Sequence, residues 1–143
     1  MLTPDEAAQK ADRAADQLLK TSARWRASLE GRVVQPPLLI QRLDVNEPYY
    51  IVPFTRNGRH TAHLIVDATS GELAEANAVE NVGDSLPAYL VPPSAPPSGL
   101  PRQLVWQPCR ESSSPFLPFY VLEDGEYFRV DGKTFTTLTL APA

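Results

Sequence analysis

The sequence predicts an α+β fold in which one N-terminal amphipathic helix packs on an antiparallel meander sheet. A helical apolar period runs through roughly the first 30 residues, and after it short apolar runs alternate with Asn-Gly and Asp-Gly turns. The chain has 143 residues, the usual size of one domain. We therefore expect residues 1–143 to form a single domain built from two β half-repeats, of which only the first carries a helix.

The predicted helix extends from about residue 4 to residue 29. Thr3 and Glu6 have the T-x-x-E spacing of a capping box, and Pro4 suits the first helical position. Apolar side chains then recur at three- and four-residue spacing, which predicts one buried face. Gly31 suits the left-handed turn that ends a helix. The apolar positions are Ala7, Ala8, Ala11, Ala14, Ala15, Leu18, Leu19, Trp25 and Leu29.

Short strands are predicted to follow the helix. Asn57-Gly58 is a hairpin signal, and Gly71 belongs to a second turn. Pro53 has no N–H to donate to a ladder, so we expect its strand to be an edge strand or to end there. The predicted strands of this first meander lie at 38–43, 49–54, 61–67 and 72–76.

Residues 82–101 interrupt the β pattern. The chain contains 15 prolines, roughly twice the average share, and six of them fall in this stretch. Such a composition forms neither a helix nor a central strand. We expect a proline-rich crossing over the surface, which joins the half-repeat 1–81 to the half-repeat 102–143. A ligand for a proline-reading domain is the alternative.

The second half repeats the β pattern without a helix. Pro-Tyr-Tyr-Ile-Val from Pro48 corresponds to Pro-Phe-Tyr-Val-Leu from Pro118. Two unrelated meanders can also share aromatic residues and Asp-Gly turns, so a true repeat and a chance likeness both stay open. The predicted strands lie at 104–107, 119–122, 126–130 and 134–140, and Asp-Gly pairs separate the last three.

An alanine-rich helix start and one turn motif of the first half resemble a known module. The segments are Thr3–Ala7 and Val66–Leu73, and the second is similar to the V-D-A-x-T-G-x-[VIL] motif of the PepSY module. The resemblance covers about residues 1–80, and the stretch from Arg32 to Glu47 departs from it. It implies a cystatin-like helix-on-sheet fold and a role in binding or restraining peptides and peptidases, with no active site.

The overall charge and the hydropathy pattern exclude several classes of partner. A net charge of −4 and a pI near 5.1 disfavour nucleic acid, because nucleic-acid-binding proteins gather cations on one face. The longest apolar runs are far shorter than about 18 residues and the N-terminus is not basic, so we expect neither a membrane span nor a signal peptide. A single cysteine forms no internal disulfide, which favours a cytoplasmic protein.

Cys109 is the one nucleophile to weigh, because a thiol near His60 or His63 could form a Cys-His pair. A packed or merely exposed thiol is the alternative, since no helix follows Cys109 to lower its pKa. The two histidines are three residues apart on a predicted strand, which would place them on opposite faces and exclude joint metal ligation. We expect no metal site and no cofactor.

Three aspartates fall at predicted turns. A carboxylate pair across a cleft could act as general acid and base, but bonding of an aspartate side chain to the turn backbone accounts for the same positions. Neither a nucleotide-binding motif nor a G-x-S-x-G motif occurs. A small enzyme that uses Cys109 or a carboxylate pair is therefore the alternative to a binding protein. The aspartates are Asp67, Asp124 and Asp131.

Aromatic residues crowd the final third, and strict alternation along strands would bury only about half of them on one face. Trp, Tyr and Arg are also the residue types that dominate binding hot spots. A helix-poor second half has less to cover this surface, so we place the candidate peptide-binding residues there. They are Trp106, Arg110, Phe116, Phe119, Tyr120 and Tyr127.

These observations favour a non-catalytic peptide- or protein-binding module. An extended segment would be accepted along an open sheet edge by β-strand addition. The segment could be a precursor peptide, a peptidase, or the same edge of a second copy, which would give a homodimer. An immunity-type or inhibitor-type protein differs from this function only in the identity of the partner.

Overall fold

In the computed structural model, the N-terminal helix begins as the sequence predicts. Helix α1 spans Pro4–Thr21, with Thr3 as its N-cap. The N–H of Thr3 donates to Oε1 of Glu6 at 3.0 Å, and the N–H of Glu6 donates to Oγ1 of Thr3 at 3.2 Å. Both halves of the capping box are therefore formed.

The prediction of one continuous helix to residue 29 is wrong after Thr21. Ser22 is extended, with φ −152° and ψ 127°, and it is followed by a 3₁₀ helix, Ala23–Trp25, and a short helix α2, Arg26–Leu29. Hydroxyl side chains compete with helical hydrogen bonding, and Oγ1 of Thr21 donates to the carbonyl of Leu18 at 3.2 Å. Helix α1 thus ends at the Thr21–Ser22 pair, where the Ser22 side chain makes no capping bond.

The structure describes residues 1–78, 104–122, 125–129 and 133–139. These residues form two compact units. The first unit contains residues 1–39 and 48–78, and the second contains residues 40–47 and the described residues after 103. The predicted crossing 82–101 lies outside the described residues, so the single domain and the half-repeat boundaries stay predictions. The strands are β1 (Val33–Val34), β2 (Leu38–Arg42), β3 (Tyr49–Arg56), β4 (Arg59–Asp67), β5 (Leu73–Ala78), β6 (Leu104–Trp106), β7 (Phe119–Val121), β8 (Tyr127–Arg129) and β9 (Thr134–Phe135).

The first unit contains an antiparallel sheet with α1 packed on it, which confirms the predicted α+β class. Its pairings run β1–β3–β4–β5. The fully buried Ala7, Ala11 and Ala15 form the contact face of α1, and their small side chains allow the helix axis to approach the strands closely. Alternate residues of β3 and β4 provide the other side of this core: Tyr50, Val52, Phe54, Ala62, Leu64 and Val66.

Pro53 neither ends its strand nor lies in an edge strand, so this prediction is wrong. β3 continues to Arg56, with β4 on one side and β1 beside its C-terminal part. The carbonyl of Pro53 accepts from the N–H of Gln35 at 2.9 Å, on the side of β3 away from β4. The N–H and C=O of one strand residue point to the same side. The missing donor of Pro53 therefore faces Gln35, the residue that follows β1.

The second unit contains the predicted second meander and one pairing that was not predicted, since β2 was expected in the first meander. β2 pairs with β6 in parallel, and β6, β7, β8 and β9 then pair antiparallel in chain order. The predicted strand 134–140 is only two residues long as β9. Within the described part of the chain, neither helix has the length and apolar character needed to cross a membrane.

Candidate functional site

The two histidines of the chain lie together in β4. Nδ1 of His63 is 2.9 Å from Nε2 of His60, and the two rings stack with 4.8 Å between their centroids. Both side chains are buried, and Nδ2 of Asn77 lies 3.1 Å from Nε2 of His63. The expectation that these histidines point to opposite faces of the strand is therefore wrong.

A β-bulge explains why the histidines share a face. Phe54 pairs with Ala62, whereas Thr55, the next residue of β3, pairs with His60. Thr61 is thus an extra residue in β4, and it shifts the alternation of side chains by one position. The sequence contained one signal of this bulge. With regular alternation, His60 would lie on the same face of β4 as the core residues Ala62, Leu64 and Val66, where a polar ring is unfavourable.

Burial determines the protonation of this histidine pair. Desolvation lowers the pKa of His60 to about 4, and a hydrogen bond to the backbone of Ala62 acts in the opposite direction. Desolvation, together with the charge of His60, lowers the pKa of His63 to about 3. Both rings are therefore neutral near pH 7. The pair is thus a buried, neutral polar group inside the first unit.

The described residues offer no metal site around the histidines. No group of three or more His, Cys, Asp or Glu side chains within the described ranges is arranged to hold a metal ion. The paired rings also use their facing nitrogen atoms in a hydrogen bond to each other, at 2.9 Å. A hydrogen-bonded chain thus runs from His60 through His63 to the side chain of Asn77.

Cys109 has the surroundings of an inert thiol. Its side chain is buried, and Sγ donates to the carbonyl of Ser112 at 3.5 Å. Burial raises the pKa of the Cys109 thiol above its ordinary value. Because the thiolate is the nucleophile, this environment does not activate the sulfur.

Asp67 stabilises a turn through its side chain. Its Oδ1 accepts from the N–H groups of Thr69 and Ser70, both at 2.8 Å, and these bonds lower the pKa of the carboxyl group. Gly71 completes the turn with a φ of 76°. Asp124 and Asp131, the other two aspartates considered as catalytic candidates, lie outside the described residues.

The six candidate binding residues of the second half differ in their exposure. Trp106 and Phe119 are buried, and the other three aromatic residues are half-buried. Arg110 is exposed, and its N–H donates to the carbonyl of Thr139 at 2.9 Å. The half-buried residues are Phe116, Tyr120 and Tyr127.

The aromatic residues of the second unit pack mainly against each other. The ring of Phe119 meets those of Tyr127 and Phe135 edge to face, with centroids 6.1 and 6.0 Å apart. The guanidinium of Arg42 lies 5.4 Å from the centroid of the Trp106 ring. Much of the aromatic surface expected in this region is thus used inside the unit.

Strand β5 is the exposed edge of the first unit. Among the described strands it pairs only with β4, and four of its six residues are exposed while the other two are half-buried. A register shift between Ile65 and Val66 leaves Ala74 without a direct partner, so the regular part of the edge is Glu75–Ala78. This edge lies in the first unit, whereas the predicted binding residues lie in the second half of the chain.

Comparison with known proteins identifies no relative. No protein-family model matches the chain, and neither a curated protein nor a solved structure matches it. The resemblance to the PepSY module therefore rests on the sequence motif alone. Any function has to be argued from the contacts, burial and charge of the chain's own residues.

Proposed function

We propose that this protein is a non-catalytic peptide- or protein-binding module that accepts an extended segment by β-strand addition along β5. The observation that carries the proposal is the exposed edge itself, which pairs with no described strand except β4. A strand at the edge of a sheet has a row of main-chain donors and acceptors that face away from its neighbour. An added strand satisfies these groups and extends the ladder.

The residues of β5 leave the edge accessible. In an antiparallel pair, N–H and C=O groups point alternately toward and away from the neighbouring strand. Ala74, Ala76 and Ala78 have side chains too small to shield those outward groups. Natural edges are often blocked by proline or lysine, and β5 contains neither. This edge therefore lacks proline and lysine, and its one bulge, at Ala74, leaves Glu75–Ala78 regular.

The side chains of β5 also suggest what the added segment would contain. Ala76 and Ala78 are half-buried beside the core of the first unit, so small or medium apolar side chains fit next to them. Glu75 is exposed and favours a basic residue directly opposite it. An extended peptide with an apolar residue and a basic residue at alternate positions is the best match. A precursor peptide, a peptidase segment or a second copy of the chain could supply it.

The sequence also predicts a different contact surface and two alternative functions. The half-buried Phe116, Tyr120 and Tyr127, with the exposed Arg110, form the alternative contact surface in the second unit. An inhibitor or immunity-type role differs only in the partner, and the PepSY-like motif is compatible with it. The enzyme hypothesis is weaker, because burial raises the pKa of Cys109 and keeps the thiol protonated.

Proline substitutions test the proposal. Successive N–H groups of a strand face opposite sides, so either Glu75→Pro or Ala76→Pro removes an outward donor, and the other removes a bond to β4. The variant that loses only the outward donor should keep the wild-type stability. It should no longer bind extended peptides that were selected for binding to the wild-type protein from a random heptapeptide library. Isothermal titration measures this loss, and sedimentation velocity measures any dimer.

Thr134→Pro, at an exposed position of β9, is the matched control in the second unit. It should leave binding unchanged. If both β5 variants bind the selected peptides as tightly as the wild type, or if Thr134→Pro alone abolishes binding, the proposal for β5 is wrong.

A further inference from the structure

An open cavity of about 390 Å³ lies beside the turn that joins β3 and β4. Its lining comes from α2 and from the two strands around the turn, and it lies entirely in the first unit. No acidic side chain lines it, although the chain as a whole carries a net charge of −4. The lining residues are Ala27, Arg56, Asn57, Arg59 and Thr61.

The two arginines of the cavity lie directly opposite each other. Asn57 and Gly58 form a two-residue turn with φ values of 54° and 76°, and such a turn makes its flanking residues cross-strand partners. Arg56 is accordingly paired with Arg59 in the ladder. Like charges at directly opposed positions destabilise an antiparallel pair. The hairpin therefore holds a repulsive pair that a bound anion would relieve.

Neither arginine has a carboxylate partner among the described residues. The ion pairs described involve Arg32 and Arg42. Nη1 of Arg56 donates to the carbonyl of Ala27 at 3.1 Å, which anchors that side chain at the wall of the cavity. The side chain of Arg59 is exposed, and its guanidinium makes no hydrogen bond to a described residue. One guanidinium is thus held in place, and the other is available to close on a ligand.

The remaining polar groups of the cavity fit the same kind of ligand. Oγ1 of Thr61 donates to the carbonyl of Ser28 at 2.6 Å, so its proton is already used. Asn57 contributes an exposed side-chain amide at the rim. The donors that face a ligand are therefore the two guanidinium groups and this amide, which together suit a group of two or three oxygen atoms.

We propose that this cavity binds a small oxyanion, a carboxylate or a phosphate group, between Arg56 and Arg59. A guanidinium group matches the spacing of two oxygen atoms and forms paired, charge-assisted hydrogen bonds with them. Arg56 positions the anion against the wall, and Arg59 covers it from the solvent side. The site does not depend on strand addition at β5.

NMR titration of the full-length protein tests the site, with inorganic phosphate in one arm and succinate in the other. Chloride holds the ionic strength constant. We expect saturable shifts of the amide signals of residues 56–61 with at least one of the two anions. The anion with the lower dissociation constant shows whether the site prefers a phosphate or a carboxylate group. Arg59→Gln should weaken that binding by about tenfold or more, which is the usual loss for a hydrogen bond to a charged group.

Arg13→Gln is the matched control, because Arg13 is an exposed arginine on α1 and does not line the cavity. It should bind as the wild type does. Without any anion, Arg59→Gln should raise Tm, since it removes the repulsion from Arg56. Shifts that chloride reproduces, or affinity that Arg59→Gln leaves unchanged, would overturn the proposal.

Discussion

The two units of this chain organise their sheets differently. In the first unit, β3 and β4 have eight and nine residues, and seven residues of each are buried. In the second unit, β6, β7 and β8 have three residues each and β9 has two. A long ladder with a packed helix can leave one edge strand exposed and remain stable. We therefore expect strand addition in the first unit and not in the second.

Loop hydrogen bonds link distant segments of the second unit. The carboxylate of Glu111 accepts from the N–H of Thr139 at 2.9 and 3.1 Å, and the carbonyl of Glu111 accepts from Nη1 of Arg129 at 2.6 Å. These bonds join the segment between β6 and β7 to residues far along the chain. Substitutions test whether the stability of the first unit depends on its core and that of the second unit on its loop hydrogen bonds.

The largest effect is expected in the core of the first unit. Phe54 is fully buried against the helix, so Phe54→Ala should lower the free energy of unfolding by about 3–5 kcal/mol. Urea denaturation followed by circular dichroism measures the loss. Val33→Ala is the control, because Val33 is 56% exposed, and it should cost far less. A loss below about 1 kcal/mol for Phe54→Ala would show that this core is not tightly packed.

The second effect is a dependence on pH that belongs to the first unit. Both histidines lie there, and their folded-state pKa values of about 4 and about 3 are below the ordinary 6.5. Between these values the unfolded chain binds protons that the folded protein does not, so stability falls as the pH falls from 6.5 toward 3. The slope is at most about 1.4 kcal/mol per pH unit for each histidine.

Urea denaturation at several pH values measures this slope. The double substitution of His60→Gln and His63→Gln should flatten it between pH 6.5 and pH 5, above the ordinary pKa values of the carboxyl groups. Amide exchange should show the loss first in β3 and β4. An unchanged slope in the double variant would mean that the histidines are not buried as neutral rings.

A smaller effect is expected from one hydroxyl group of the second unit. Ser112 is buried, and its Oγ lies 3.1 Å from the carbonyl oxygen of Ser114 and 2.7 Å from that of Leu117. Ser112→Ala should cost about 1–3 kcal/mol, because carbonyl groups lose a donor. The exposed Ser113 supplies the control, and Ser113→Ala should be close to neutral. Equal effects of the two variants would show that the loop does not stabilise this unit.

The smallest effect is expected at the start of α1. Thr3→Ala removes the capping box and should cost about 1 kcal/mol. Thermal unfolding measures it, with the exposed Gln9→Ala as the control on the same helix. A Thr3 variant as stable as the control would mean that packing of the alanine face alone fixes the helix.

Local chemistry accounts for what could be predicted. The start of α1, the Asn57-Gly58 turn and the turn at Asp67 depend on residues within about four positions of each other, and all three occur as expected. The end of α1 was not predictable from the apolar period, because apolar residues continue at helical spacing past Thr21 to Trp25 and Leu29.

The missed features depend on distant pairings. The bulge at Thr61 is defined by its register with β3, and the parallel pairing of β2 with β6 joins segments more than 60 residues apart. The burial of Trp106 and Phe119 follows from such contacts as well, so alternation could not assign it. The pairing of Arg56 with Arg59 does not depend on distant contacts. An Asn-Gly pair predicts a two-residue hairpin turn, so the sequence R-N-G-R already places the two arginines opposite each other.

Amide hydrogen exchange with and without a bound extended peptide tests the central claim most directly. If β5 accepts the peptide, the outward amides among residues 74–78 should exchange rapidly in the free protein and slowly in the complex. The amides of β8 and β9 should not change. Protection that appears in β8 or β9 and not in β5 would contradict the account and place the binding surface in the second unit.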